Sequence, residues 1–134
     1  MFNSITSPVE YITAGSPITP VNVLEKLARS TNTAIRARVA ENPSLPVDTQ
    51  LKLLKDNNAD VRLALTYNPM LPSHFLMRLA ADQNPDTRLA LAENPNASCI
   101  VLETLENDDN PYVAERAKKT LAKACAQELS LAIG

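Results

Sequence analysis

Residues 61–72 read VRLALTYNPMLP, and residues 87–98, 26 positions later, read TRLALAENPNAS. The same period holds without insertion or deletion from residue 17 to residue 120. A fixed period between about 20 and 50 residues is typical of stacked arrays, in which each repeat completes its hydrophobic core by packing on its neighbours. The four sequence repeats are 17–42, 43–68, 69–94 and 95–120.

Each repeat contains the signals of two short helices. In the first three repeats proline opens the first helix, where its missing N–H would be unbonded in any case, and Asn-Pro closes the second, because the residue before proline leaves the α region. Apolar residues at i, i+1, i+4 and i+5 give the first helix one apolar face. The second helix is expected to begin near Asp60 or Asp86, whose carboxylates suit an N-cap and the helix dipole. Residues kept in every repeat are Leu27, Leu53, Leu79, Leu105, Asn32, Asn58, Asn84 and Asn110.

The second helix is apolar on two sides. Val61 and Leu65 share one side, while Leu63 points nearly opposite at about 100° per residue. We expect such a helix to lie between two neighbouring repeats, with only a narrow arc in contact with solvent. The residues predicted on that arc are Arg38, Glu41, Ala64, Tyr67, Ala90 and Glu93.

The two ends of the array differ from its interior. Residues 7–16 match a second helix alone and predict an N-terminal half-repeat cap. In the fourth repeat Thr120 and Leu121 replace Asn-Pro, so nothing in the sequence stops the last helix, and residues 112–132 predict a long C-terminal capping helix. The chain, 1–134, is therefore predicted to be a single all-α repeat domain. The inward positions expected on the capping helix are Val113, Ala117, Leu121 and Cys125.

Composition agrees with this interpretation and narrows the function. Hydrophobic residues make up 45% of the 134 residues but aromatic residues only 4%, so Leu and Ala must supply the core. The net charge of −2 gives no overall basic field, and nucleic acid is not an expected partner. The N-terminus lacks the pattern of a signal peptide, and no apolar run approaches the roughly 18 residues of a membrane span. Cys99 and Cys125 form no metal-ligand or disulfide pattern, so we expect a reducing, cytoplasmic location.

The two repeated motifs, together with the L-x-x-L-x-x-D pattern of Leu76, Leu79 and Asp82, resemble the leucine-rich repeat variant family and the wider HEAT-like helical repeats. The resemblance covers residues 17–120. It implies a right-handed superhelical solenoid of short helical pairs, in which one helix of each pair can be 3₁₀, and it implies no settled activity. The founding type of the family holds an iron–sulfur cluster on clustered N-terminal cysteines. This sequence has no such cysteines, so no cofactor or metal is expected.

Recurring aspartates and arginines have two interpretations. Asp56 lies six residues before Arg62, and the same spacing links Asp82 to Arg88. In HEAT-like repeats similar residues pair along the stack, which predicts a ladder of charge-assisted hydrogen bonds. The alternative is that the arginines bind phosphate. We favour the ladder, because arginine beside apolar positions is usually paired when it is partly buried.

The best candidate for a functional region is a partner-binding surface on the second helices. Tyr67 stands where the neighbouring repeats have glutamate, and an exposed tyrosine among charges is typical of binding hot spots. We expect a non-enzymatic scaffold or adaptor that binds another protein. Catalysis is not expected, because the only histidine, His74, has no candidate nucleophile or orienting partner. The predicted partner-binding residues are Arg38, Glu41, Tyr67, Glu93 and Arg116.

An alternative function is the binding of nucleic acid or another polyanion through a basic stripe on the first helices. Helices pack about 8–10 Å apart, so basic residues on successive first helices would form a row. The stripe fades in the fourth repeat, at Thr104 and Asn107, and we favour a solvated outer face whose aliphatic stems cover apolar neighbours. Its members are Lys26, Arg29, Lys52, Lys55 and Arg78.

Overall fold

The computed structural model describes residues 7–133, including all side chains in that range except those of residues 127–130 and 133. This part of the chain contains nine α-helices and no strand, which confirms the all-α prediction. Both helices of each pair are α-helices rather than 3₁₀-helices. The helices are α1 (Pro8–Gly15), α2 (Val21–Leu27), α3 (Thr33–Ala40), α4 (Val47–Leu54), α5 (Ala59–Leu65), α6 (Ser73–Leu79), α7 (Pro85–Glu93), α8 (Cys99–Leu105) and α9 (Pro111–Ile133).

The chain folds as two compact units, an N-terminal unit (Met1–Phe75) and a C-terminal unit (Leu76–Gly134), and the division falls within α6. In the N-terminal unit α3 packs against both α1 and α5, while α2 packs on α3 and α4 packs on α5. In the C-terminal unit the long α9 packs against α7 and α8. Each unit thus builds its own core from contacts between helices close in sequence.

The helices bury one recurring position from each helix of the pair. One position of the second helix is at most 1% exposed in every repeat. The residues at this position are Ile35, Val61, Thr87 and Val113. Burying one aliphatic side chain stabilises the fold by about 1.5–3 kcal/mol relative to leaving it exposed. The recurring leucine of the first helices is also buried throughout, at Leu27, Leu53, Leu79 and Leu105.

Asparagine, not aspartate, caps the second helices. The side-chain oxygens of Asn32, Asn58 and Asn84 accept hydrogen bonds from the N–H two residues later, at 2.8–2.9 Å. Asp60 and Asp86, predicted as caps, lie inside the first turn, where their charge still complements the helix dipole. The prediction is wrong because both residue types suit a cap and stand two positions apart, so the pattern alone could not choose between them.

The asparagine of the Asn-Pro pair joins one repeat to the preceding one. The side-chain amide of Asn68 donates to the carbonyl oxygens of Ala40 and Asn42, both at 2.9 Å. Asn42 makes the equivalent two bonds 26 residues earlier, at 2.7 and 2.8 Å. The accepting carbonyls lie at the end of the preceding second helix, where the last C=O groups lack intrahelical partners. Asn-Pro therefore links repeats as well as ending a helix.

Three predicted exposures are wrong. Ala64 and Ala90, expected on the solvent arc, are only 4% and 7% exposed, because a methyl side chain is short enough for its neighbours to cover it. Cys125, expected in the core, is exposed. Along α9 the side chains of Val113 and Ala117 are buried, but α9 has 23 residues and α7 only nine. The later turns of α9 therefore extend beyond the helix that covers its beginning.

Thr87 is the polar exception in the buried row, and we expect valine at this position to stabilise the protein. Thr87 is fully buried, and its hydroxyl has no hydrogen-bond partner within the described residues. Valine has nearly the same size and already occupies position 61. Thr87→Val should therefore raise the free energy of unfolding by about 1–2 kcal/mol, because it removes an unsatisfied polar group.

Urea unfolding followed by circular dichroism measures this change. The control is Thr33→Val at an exposed position, where the effect should stay within about 0.5 kcal/mol. A Thr87→Val protein no more stable than the wild type would mean that the hydroxyl is satisfied in solution.

Candidate functional site

The N-terminal candidate site is built on the last turn of α3. Arg38 donates from Nη1 to the Glu41 carboxylate at 3.0 Å, and its guanidinium carbon lies 5.3 Å from the centre of the Tyr11 ring. The two side chains of the ion pair remain 37% and 35% exposed. An ion pair this exposed adds little to stability in water, so its charges are open to a partner.

Gly15, the last residue of α1, makes room for this arginine. A Cβ added at Gly15 would lie 2.6 Å from Cζ of Arg38, so the guanidinium occupies the space of a side chain at position 15. The Nε of Arg38 is buried and makes no hydrogen bond among the described residues. The side chain of Arg38 therefore packs against α1, a contact that the sequence pattern did not predict.

Tyr67 follows α5, at the position that Glu41 holds after α3, and α3 and α5 pack against each other. Its side chain is 58% exposed, and Met70, in the same interhelix turn, is 63% exposed. Tyrosine and methionine are both enriched in protein interfaces. Sequence reasoning named Tyr67 but missed Met70, because the equivalent positions hold Ser44 and Asn96 and no pattern marks the site.

The C-terminal candidate site is a cleft of about 420 Å³ between the end of α7, the turn at Pro95 and the middle of α9; we call it the α9 cleft. It contains Glu93 and Arg116, two of the predicted partner-binding residues. Sequence reasoning missed the two lysines that share it. Among the residues that line the α9 cleft are Glu93, Pro95, Arg116, Lys119 and Lys123.

The α9 cleft exists because the fourth repeat lacks Asn-Pro. With Thr120 and Leu121 in its place, α9 continues to Ile133 and its extra turns form one wall of the cleft. The hydroxyl of Thr120 lies 2.5 Å from the carbonyl oxygen of Ala92, so threonine keeps one of the bonds that asparagine makes in earlier repeats. Thr120 thus preserves the link to α7, and Leu121 in place of proline allows α9 to continue.

The arginines of the repeats are paired, as the ladder interpretation predicts. Arg36 donates from Nε and Nη2 to the two carboxylate oxygens of Asp56, at 2.8 and 3.1 Å, and from Nη1 to the carbonyl of Ser30 at 2.8 Å. Arg88 makes the same three contacts 52 residues later. Each of these two arginine side chains is 17% exposed. Arg36 and Arg88 therefore hold turns together and are not presented to a phosphate.

The ladder changes the titration of Asp56. Burial raises the pKa of its carboxyl, but the hydrogen bond from Arg36, the N–H of Asn58 and the charges of Arg36 and Arg62 lower it, and the net pKa lies below the ordinary 3.8. The carboxylate is therefore charged at neutral pH.

The predicted basic stripe is solvent-exposed but mixed in charge. Lys26 and Lys52 are exposed, and the exposed acidic residues Glu25 and Asp48 lie on the same two helices. Polyanion binding through this stripe stays a prediction. The other stripe residues, also exposed, are Arg29, Lys55 and Arg78.

His74 is exposed at the start of α6, and its ring contacts that of Phe75 edge to face, with the ring centres 4.4 Å apart.

Comparison with protein-family models, curated proteins and solved structures gives no match for this chain. Across residues 7–133, no helix is both long enough and apolar enough to cross a membrane. The same described residues contain no group of three or more His, Cys, Asp or Glu side chains placed to hold a metal ion. Function must therefore be inferred from the chain's own geometry.

Proposed function

We propose that the protein is a non-enzymatic, cytoplasmic adaptor that binds another protein with the C-terminal ends of its second helices. In this proposal the chain is one repeat domain, a right-handed HEAT-like solenoid of the leucine-rich repeat variant type. The observation that carries the proposal is the exposed turn of Tyr67 and Met70, one helix along from the Arg38–Glu41 ion pair.

The chemistry of this turn suits an interface. Tyrosine supplies a large contact area at low entropic cost, because only two χ angles become fixed on binding. Hot spots of this kind are typically surrounded by polar groups that contribute less energy but exclude water. The partly exposed charges of Arg38 and Glu41 would set the orientation and association rate of a partner more than its affinity.

Recurring and variable polar residues have different roles, and this difference also supports binding. The recurring residues make structural bonds: Asn58 caps a helix, Asn68 links two repeats and Arg36 joins two turns. The equivalent positions 41 and 67 are accessible to solvent and change from glutamate to tyrosine. A partner that contacts these positions would recognise this chain through residues that the fold does not need.

We expect Tyr67→Ala to weaken capture of the partner at least about tenfold, the effect of losing a hot-spot side chain worth 1.4 kcal/mol or more. Its thermal unfolding midpoint should stay close to that of the wild type, since the ring is 58% exposed. The measurement is affinity capture from the source cells with quantitative mass spectrometry, followed by pairwise binding of the purified partner. Tyr112→Ala is the matched control, since Tyr112 is also exposed and lies in the first turn of α9.

The outcomes separate binding from folding. A protein enriched by the wild type and by Tyr112→Ala but lost with Tyr67→Ala supports the proposal. The same captured set with all three baits contradicts it. A lower unfolding temperature for Tyr67→Ala alone would assign Tyr67 a structural role instead.

A further inference from the structure

The α9 cleft has a charge pattern that the repeat does not explain. Arg116, Lys119 and Lys123 follow one another at i, i+3 and i+7, so at about 100° per residue they fall within an arc of about 60° on one side of α9. All three are exposed, and none takes part in an ion pair among the described residues. Three neighbouring cations repel one another, and a bound anion would relieve that repulsion.

The opposite wall of the cleft carries a single carboxylate. Glu93 ends α7, next to the turn at Pro95, and is exposed. The charged residues of the cleft therefore number three cations and one anion, a local charge of +2 in a chain whose net charge is −2. The cleft is therefore locally positive in a chain that is negative overall.

We propose that the α9 cleft binds an acidic peptide segment of a partner protein, with aspartate or glutamate side chains on Arg116, Lys119 and Lys123 and a peptide N–H on Glu93. This inference deepens the proposed function and rests on it. A peptide fits both walls because it offers carboxylates and hydrogen-bond donors within a few ångströms of each other. The guanidinium of Arg116 adds directional, bidentate recognition of one carboxylate, while the lysines act as point charges.

A nucleic acid fits the cleft less well. Its backbone presents phosphates at regular short intervals, and the Glu93 carboxylate would face one of them without a compensating donor. A volume of about 420 Å³ holds a few side chains rather than a length of nucleic-acid strand. The mixed chemistry of the two walls therefore favours an acidic peptide.

The test is fluorescence anisotropy with a labelled peptide of alternating glutamate and serine, compared with the same peptide containing glutamine for glutamate. We expect the glutamate peptide to bind the wild type at low ionic strength and to bind more weakly at about 0.2 M salt, where charges are screened beyond about 7–8 Å. Lys123→Glu should weaken binding about tenfold or more, because it turns an attraction into a repulsion.

Lys118→Glu is the matched control, because it makes the same charge change on the same helix. Lys118 lies about 160° around α9 from Arg116 and does not line the cleft. It is exposed, as Lys123 is, so neither substitution should alter the helix content or unfolding midpoint by more than a surface change does. Binding by the Lys118→Glu protein should stay within about threefold of the wild type, the residual effect of net charge at a distance.

Three results would overturn the cleft proposal: no binding of the glutamate peptide at low salt, equal losses for Lys123→Glu and Lys118→Glu, or tighter binding of a single-stranded oligothymidine than of the peptide. The capture experiment separates this proposal from the broader one. If capture of a partner depends on Tyr67 but not on Lys123, the adaptor function is supported and the α9 cleft has no part in it. If neither Tyr67→Ala nor Lys123→Glu changes the set of captured proteins, the adaptor function itself is contradicted.

Discussion

We expect the Asn68→Ala protein to lose about 3–5 kcal/mol of unfolding free energy, a large fraction of the stability of a domain of this size. Asn68 is 4% exposed and makes three hydrogen bonds: two from its amide to the carbonyls of Ala40 and Asn42, and one from the N–H of Met70 to its oxygen, each at 2.9 Å. Alanine leaves these groups without the partner, and each unsatisfied buried polar group costs about 1–3 kcal/mol.

Two further variants test the mechanism. Asn68→Asp keeps the oxygen that accepts from Met70 but replaces the amide donor by a carboxylate facing two carbonyl oxygens. It should be at least as destabilising as alanine at neutral pH, because the two hydrogen bonds that the amide donates are lost in both variants. Asn22→Ala, on the exposed side of α2, is the control and should change stability by no more than about 0.5 kcal/mol. If Asn68→Asp is as stable as the wild type in urea unfolding, the amide does not link the repeats.

The fold was predictable wherever a residue type recurs for a single reason. Leu53 recurs because its position is always buried, and Arg36 recurs because its partner aspartate recurs 20 residues later. Asn68 also recurs, but the proline after it already explains the end of the helix. Its second role, donating to the preceding repeat, needs three-dimensional proximity that spacing does not encode. The same limit applies to Asn58, because Asp60, two positions later, could equally have been the cap.

The candidate site was less predictable, because it depends on departures from the repeat. The sequence placed Glu93 and Arg116 on the right helices, and the structure brings them into one cleft. The sequence did not predict that Lys119 and Lys123 belong to the site, because they lie on the capping helix, whose sequence departs from that of the earlier repeats. Ala64 was misplaced on the surface because helical angle alone does not say how far neighbouring side chains reach over a small residue.

Removing the arginine of the ladder should be nearly as costly as removing the asparagine link. We expect Arg36→Met to lower the free energy of unfolding by about 2–4 kcal/mol, somewhat below the cost of breaking a fully buried pair because the arginine is 17% exposed. Methionine keeps much of the aliphatic stem but leaves Asp56, whose side chain is 11% exposed, without its bidentate partner. Arg36→Lys should be intermediate, since an ammonium cannot reproduce the planar fork.

The pH dependence identifies the charge as the cause. The pKa of Asp56 in the folded protein lies below its ordinary value of 3.8, so its ionisation stabilises the fold above that pH. This contribution is lost as the pH falls through the folded-state pKa. The stability difference between wild type and Arg36→Met, from urea unfolding at several pH values, should be largest at neutral pH and shrink below about pH 4. Arg29→Met, at an exposed arginine, should show no such trend. A difference of equal size at acidic and neutral pH would show that Arg36 acts through packing and its bond to Ser30 rather than through Asp56.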